Sequence, residues 1–194
     1  MDPQVDRLVN KIWGTFQSIP NNARLMVAVS GIPGSGKTEL ASTMANRINK
    51  LYTAENPDSP PIATVVPMDG YHFTRAQLAQ MPDPVYAVAR RGAAFTFDGE
   101  KFLTLVRALR EPLTAETPSL AALLMDELWF VEVDFDTARK RLVRRHVRAG
   151  IAKDEAEADK RVTENDFVNG REIIEERMDV QEIITSNYDP GWDR

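Results

Sequence analysis

The chain has 194 residues, 43% hydrophobic and 27% charged, which places it among globular proteins and not disordered ones. Its net charge of −5 argues against bulk attraction to nucleic acid or to an anionic membrane surface. The lack of cysteine excludes disulfides and thiolate metal sites, and His72 and His146 are too few for a histidine-rich one.

Residues 1–24 read as an amphipathic helix and its exit. Asp2-Pro3 has the form of an N-cap followed by proline at the first helical position. Val5, Leu8, Val9, Ile12, Trp13, Phe16 and Ile19 then form one apolar stripe, suited to packing on a sheet. The acids within this segment are unlike a signal peptide, and no apolar run is long enough to span a membrane, so a cytoplasmic location is expected.

An apolar, β-rich run from Leu25 to Val29 feeds the loop Gly31-Ile32-Pro33-Gly34-Ser35-Gly36-Lys37-Thr38, which matches G-x-x-x-x-G-K-[ST]. Glycines let successive N–H groups turn inward on a phosphate with no Cβ in the way. The helix that follows, with Leu40, Ala41, Met44, Ala45 and Ile48 at helical spacing, adds its partial positive charge. The whole loop is therefore expected to bind nucleotide, with Lys37 on the β- and γ-phosphates of ATP and the Thr38 hydroxyl on Mg²⁺.

Ile62–Val66 suits a buried parallel strand. Asp69 and His72 follow at its carboxyl end, where open α/β sheets gather function. Residues 74–97 read as a loop-rich excursion with one short helix, and Asp98 as the cap of a helix running to Arg110. Residues 111–120 form a loop. Leu128–Val133 is the next strand, and Thr137–Ala149 a helix closed by Gly150. A helix over about 153–178, interrupted near Asn165 or Gly170, and a last strand at Val180–Thr185 complete an alternating α/β pattern with a mainly parallel sheet. With no repeat and no long linker, 1–194 reads as one domain. Arg141, Arg144, Arg145 and Arg148 fall on one helical face, which marks 136–160 as a candidate lid region over the phosphates, or else a solvated basic face.

Several segments together resemble the uridine kinase/phosphoribulokinase/bacterial pantothenate kinase group of P-loop kinases. These are the P-loop, Pro67-Met-Asp-Gly-Tyr-His-Phe73, Arg90-Arg-Gly-Ala-Ala-Phe-Thr-Phe-Asp98, Trp129-Phe-Val-Glu-Val-Asp134, Arg141-Leu-Val-Arg-Arg-His146 and Asn165-Asp166…Asn169. The resemblance implies a P-loop NTPase-type three-layer fold, and ATP-dependent phosphorylation of a hydroxyl on a small acceptor. It gives Asp69 the place of a carboxylate that orients that hydroxyl and takes its proton. Lys37 and a lid arginine, Arg145, complete the expected catalytic set, with Arg141 and Arg144 on the nucleotide. His72, Arg90 and Arg91 are the expected substrate contacts, against the plainer reading of ordinary loop residues. By the same resemblance Asn169 lies near the nucleotide, where an exposed helix position is the plainer alternative.

The chain departs from the group in one respect. Members carry an internal strand beside the P-loop strand, ending in a Glu-Gly-Asn-Tyr-like segment that helps hold Mg²⁺, and no such segment exists here. The run Ala121–Glu127 has an apolar-then-acid pattern, yet Leu128 begins the next strand at once, and parallel neighbours need a crossover of roughly a dozen residues. It is read as a short helix or loop, with Asp126 or Glu127 as metal ligands the lesser alternative. Three functional readings follow. They are an active small-molecule kinase, a nucleotide-binding protein without full activity, and an NTPase coupled to a partner. The acceptor and the oligomeric state stay open.

Overall fold

The computed structural model describes residues 2–111 and 125–187. The fold is α/β. Its sheet contains β1 (Val27–Gly31), β2 (Glu127–Glu132) and β3 (Glu182–Thr185), in that spatial order and all parallel. The register sets Val27 opposite Glu127 and Gly31 opposite Val131.

Side chains along β2 alternate between two cores, as strand geometry requires. Trp129 and Val131 face α1 (Asp2–Ser18) and α2 (Lys37–Glu55), meeting Val5, Leu8, Ile12, Leu40, Met44 and Ile48. Phe130 faces the other way, toward α6 (Phe135–Arg148), α7 (Glu155–Arg161) and α8 (Phe167–Glu175), and joins Ile32, Leu142, Val162 and Phe167. Three layers result. The stripe on α1 is core, and the helix runs antiparallel to β3. Gln4 bonds the Thr185 carbonyl, while Arg7 and Lys11 reach Glu182 at 2.8 and 2.9 Å.

Asp98 caps α5 (Gly99–Arg110) by accepting from the Lys101 amide, and Asp134 caps α6 by accepting from Thr137. Gly150, at φ 65°, follows the end of α6. The interruption near Asn165 is a turn of π-helix, Val162–Asp166, between α7 and α8. The excursion over 74–97 holds more structure than its weak periodicity predicts. It contains α3 (Arg75–Leu78) with a Thr74/Gln77 capping box, α4 (Pro84–Ala89) capped by Asp83, and a 3₁₀ turn at Ala94–Thr96.

Ile62–Val66 is not a strand, which corrects the reading above. A parallel strand needs a neighbour, and no described strand lies on the outer edge of β1 to pair with it. Instead the Asn49 side chain of α2 bonds this segment. Its Oδ1 accepts from the Ile62 and Ala63 amides at 2.9 and 2.8 Å, and its Nδ2 donates to the Ala63 carbonyl at 2.9 Å. Ile62 and Val66 stay 37% and 45% exposed, with no described strand beside them. Of the segment expected as a short helix or loop, Ala121–Glu127, residues 121–124 lie outside the described residues, as do Pro112 and Pro118, and Glu127 already opens β2.

Candidate functional site

The P-loop leaves the carboxyl end of β1 and turns into α2 at Lys37. Gly34 has φ 79°, and a Cβ there would stand 2.9 Å from the Ala138 carbonyl of α6. Only glycine fits both the left-handed backbone and the close approach. Gly36, at φ 87°, holds the N-cap position of α2. Ile32 and Pro33 rest on Gly170 of α8. Ser35 is fully buried and its hydroxyl has no partner. Among the described residues, Lys37 Nζ meets only the Ile32 carbonyl, at a long 3.4 Å. An orphaned hydroxyl, an amine with one weak bond and a helix N-terminus fit a phosphate group in this cradle.

Burial is the chief reason the Lys37 ammonium sits below its ordinary pKa. The Asp69 carboxylate opposes that shift, and the Arg145 guanidinium reinforces it. Three residues expected to act together are thus electrostatically coupled across the loop. Asp69 lies exposed in the 3₁₀ turn Met68–Tyr71. Arg145 lies on the exposed face of α6, whose other side is anchored by buried Ala138, Leu142 and His146. One turn earlier, Arg141 donates to the Gly34 carbonyl, the Ser186 hydroxyl and the Asn187 carbonyl, joining the loop to the end of β3. Arg144 is exposed on the same helix. Thr38 is exposed in the first turn of α2, where its hydroxyl suits a hydrated cation beside the phosphates.

The two sequence segments richest in family character pair with each other. Phe73 N–H donates to the Thr96 carbonyl at 2.9 Å, and Asp98 N–H to the Tyr71 carbonyl at 2.7 Å. His72 lies between, stacked on Phe97 with ring centroids 3.8 Å apart, and its buried Nδ1 has no partner. Burial first, then the Arg91 charge, lowers the His72 pKa, and Asp69 works against both. The ring is therefore neutral at physiological pH. Arg91 Nη1 donates to the Phe73 carbonyl at 2.8 Å. Arg90 reaches away from the turn to Asn169 and Glu172 of α8, both at 2.8 Å. Asn169 is buried, not an exposed helix position.

Asp126 and Glu127 stand at the opposite end of the sheet. Asp126 accepts from the Met26 amide and pairs with Arg110, and Glu127 pairs with Lys11 and accepts from the Trp129 indole. Glu127 faces Val27, four residues below Gly31, roughly 13 Å from the loop at strand rise. Neither carboxylate reaches the phosphates, so the lesser reading of them as metal ligands is corrected. Among the described residues, no group of three or more His, Cys, Asp or Glu could hold a metal. Nor is any described helix long and apolar enough to cross a membrane.

Some site features had no sequence signal. Ser186 is one of them, since nothing local ties it to an arginine 45 residues away. The contact between His146 and Asp166, 2.9 Å apart and buried, is another, for both residues fall in family-like segments but nothing local pairs them. Its members are 20 residues apart, and only the packing of α6 on the π turn brings them together.

A parallel sheet between helical layers, with this loop at the carboxyl end of one strand, defines the P-loop NTPase-type fold. No family model matches the chain. It is 42% identical to the ATP-dependent kinase-like protein notR' of Aspergillus versicolor, over 62% of this chain and 95% of that one. A Schizosaccharomyces pombe protein named as a candidate uridine kinase is 26% identical over 92% of this chain and 88% of its own length. In fold, the chain matches the crystal structure of YFH7 from Saccharomyces cerevisiae, described as a candidate P-loop kinase with a circular permutation, with TM-score 0.73 at 18% identity, covering 95% of this chain and 99% of that one. It also matches a candidate fructose transport system kinase of Silicibacter sp. TM1040, with TM-score 0.68 at 26% identity, covering 91% and 98%. The chain belongs to the P-loop kinase family. Its alignment with notR' runs over 163 positions yet takes in only 62% of these 194 residues, so that relative carries residues with no counterpart here.

Proposed function

We propose that the chain transfers the γ-phosphoryl group of Mg-ATP to a hydroxyl of a small metabolite. The observation that carries this is the setting of Lys37 in the P-loop, buried and with one weak hydrogen bond, where the Asp69 carboxylate and the Arg145 guanidinium both act on its charge. Lys37, Ser35 and the loop amides bind the phosphates. Asp69, exposed and acting on the Lys37 charge, orients the acceptor hydroxyl and takes its proton as the phosphoryl group leaves ATP. Arg145 offsets negative charge on the moving group. The Thr38 hydroxyl would hold Mg²⁺, which when bound neutralises phosphate charge. The neutral His72 ring, with its unpaired Nδ1, and Arg91 beside it form the wall that the acceptor meets. Its relatives' names support kinase chemistry in general, and the acceptor is drawn from nucleosides, sugars and pantothenate-like alcohols.

A second reading has its own observation. The outer edge of β1, where the family's magnesium-positioning strand belongs, carries no described strand. The chain would then bind nucleotide without transferring its γ-phosphoryl group. ADP formation with that acceptor panel, together with calorimetric titration of Mg-ATP, separates the two. Acceptor-dependent ADP, lost at least about 100-fold in Asp69→Asn while ATP affinity holds, supports transfer. Tight Mg-ATP binding with no acceptor-dependent ADP would establish the second reading instead.

A further inference from the structure

Three buried polar side chains leave one short stretch of helix, and each meets a different part of the site. The stretch is the π turn Val162–Asp166 with the start of α8, where Phe167 N–H donates to the Val162 carbonyl five residues back. Asn165 Nδ2 donates to the Arg91 carbonyl at 3.2 Å, and Asn169 Oδ1 accepts from Arg90 at 2.8 Å. These two hold the excursion that carries the acceptor wall. The third, Asp166, reaches α6, the helix of Arg141, Arg144 and Arg145, with Oδ2 2.9 Å from His146 Nε2. A π turn is rare and occurs often at functional sites. Apolar residues of similar volume are often as stable as a buried polar pair, so stability alone does not account for His146 and Asp166.

His146 fixes the last turn of α6. It lies one turn beyond Leu142 on the buried face and is 4% exposed. Its carbonyl accepts from the Ile151 and Ala152 amides, at 2.9 and 3.2 Å, which closes the helix and starts the path to α7. Among the described residues Asp166 is the hydrogen-bond partner of its ring, and Nδ1 is buried with none. The first half of α6 is tied elsewhere, through Arg139 to Asp159 of α7 and to the Phe167 ring. Apolar contact at Ala138 and Leu142 has no direction and tolerates a small rotation of the helix. The bond from Nε2–H to the carboxylate is directional and resists it. Arg145 precedes His146, about 100° away around the helix, and its guanidinium acts on the Lys37 charge. A rotation of roughly 10° moves a side chain 5–6 Å from the axis by about 1 Å. A misplacement of about that size can cost about 10²-fold in rate.

We propose that the bond between His146 and Asp166 is a positioning contact. It sets the rotation of α6 that holds Arg145 over the phosphates, and it does so from the same turn that holds the acceptor wall. The proposal rests on the transfer reading above, in which Arg145 meets the moving phosphoryl group.

The test is a cycle of variants in the full chain. His146→Leu combined with Asp166→Leu exchanges the bond for apolar contact of similar volume, and the melting temperature should hold or rise. The preference for Mg-ATP over Mg-ADP, read by calorimetry, should nevertheless fall about tenfold, as it should in Arg145→Gln alone. All three changes together should cost no more than either, because the pair acts through Arg145. Acceptor-dependent kcat should fall about 10–100-fold with the acceptor KM unchanged. Asp166→Asn keeps an oxygen for Nε2–H and should retain most of both. A second comparison needs no apolar pair. The amide nitrogen of glutamine reaches the place of Nε2 and that of asparagine the place of Nδ1, so His146→Gln should keep the nucleotide preference and His146→Asn should lose it. An unchanged preference in the folded double-leucine variant overturns the proposal. So does a loss that adds to that of Arg145→Gln, and so does equal behaviour of His146→Gln and His146→Asn. Acceptor-dependent ADP is read separately. Its absence in the unmutated protein overturns the transfer reading, while the affinity cycle tests the positioning by itself.

Discussion

Asn49 does the work of a missing strand, and its removal measures that work. In Asn49→Ala the segment Ile62–Ala63 loses three hydrogen bonds, at 2.9, 2.8 and 2.9 Å. Each is worth about 0.5–1.5 kcal/mol net. Ile62 is exposed, so water replaces part of its amide bond, and we expect a loss of about 2 kcal/mol. For a chain of this size that is a fall of roughly 4–8 °C in melting temperature. Urea unfolding followed by circular dichroism should show the midpoint falling with an unchanged slope. Asn49→Asp keeps the acceptor for both amides but sets a carboxylate against the Ala63 carbonyl, and should fall between. The same variants should slow transfer more than they weaken ATP binding, because Asp69 follows this segment and Lys37 does not. A loss under about 0.5 kcal/mol in Asn49→Ala would mean that other contacts hold Ile62–Val66 and would refute the reasoning.

Two further outcomes follow from charge. Lys37 is a cation held below its ordinary pKa chiefly by burial, so the unfolded chain binds that proton more tightly and stability rises with pH toward 10.5. Lys37→Met should therefore raise the melting temperature of the nucleotide-free protein and flatten that rise, while calorimetry shows Mg-ATP binding lost. Glu182 is the opposite case, its carboxyl pulled down to about 2, first by the hydrogen bond from Arg7 and then by Lys11. Its contribution is fully present above 4.5 and disappears as pH falls toward 2. With Arg7 half-exposed and screened, Glu182→Gln should cost about 1–2 kcal/mol at pH 7 and nothing near pH 2, as acid titration of the circular dichroism signal would show.

Elements with a local cause were legible in the sequence. The apolar stripe of α1, the cap at Asp98, the β2 run around Trp129 and the glycine loop each state their structure within a few residues. The break near Asn165 was visible, though not that it takes π form, because that depends on how α6 packs. Ile62–Val66 misled for a physical reason. Its β-branched composition reports a preference to pair, and pairing depends on a neighbour that the described residues do not supply. Arg90 and Arg91 read alike as adjacent loop arginines. Tertiary packing separated them, sending one to α8 and the other to the Phe73 carbonyl. Asn49, mid-helix and polar, carried no signal at all, since its role exists only where an extended segment lacks a sheet.

The departure from the family divides the site unevenly. Every contact that shapes the phosphate cradle comes from elements the chain retains. Gly31 lies against Val131 of β2, Gly34 against α6, Ile32 against Gly170 of α8, and Arg141 against the end of β3. None of these needs a strand on the outer edge of β1. Asp69, by contrast, follows the segment with no described strand beside it, held upstream by Asn49 and downstream by the Tyr71–Asp98 and Phe73–Thr96 bonds. Nucleotide affinity and phosphoryl transfer should therefore respond separately to perturbation on that side of the molecule. Changes around Asn49 and Ile62 move the acceptor half, and changes around Gly34 and Arg141 move the nucleotide half. A protein in which both halves failed together on Asn49→Ala would have its cradle supported from the open edge after all, against what the packing shows.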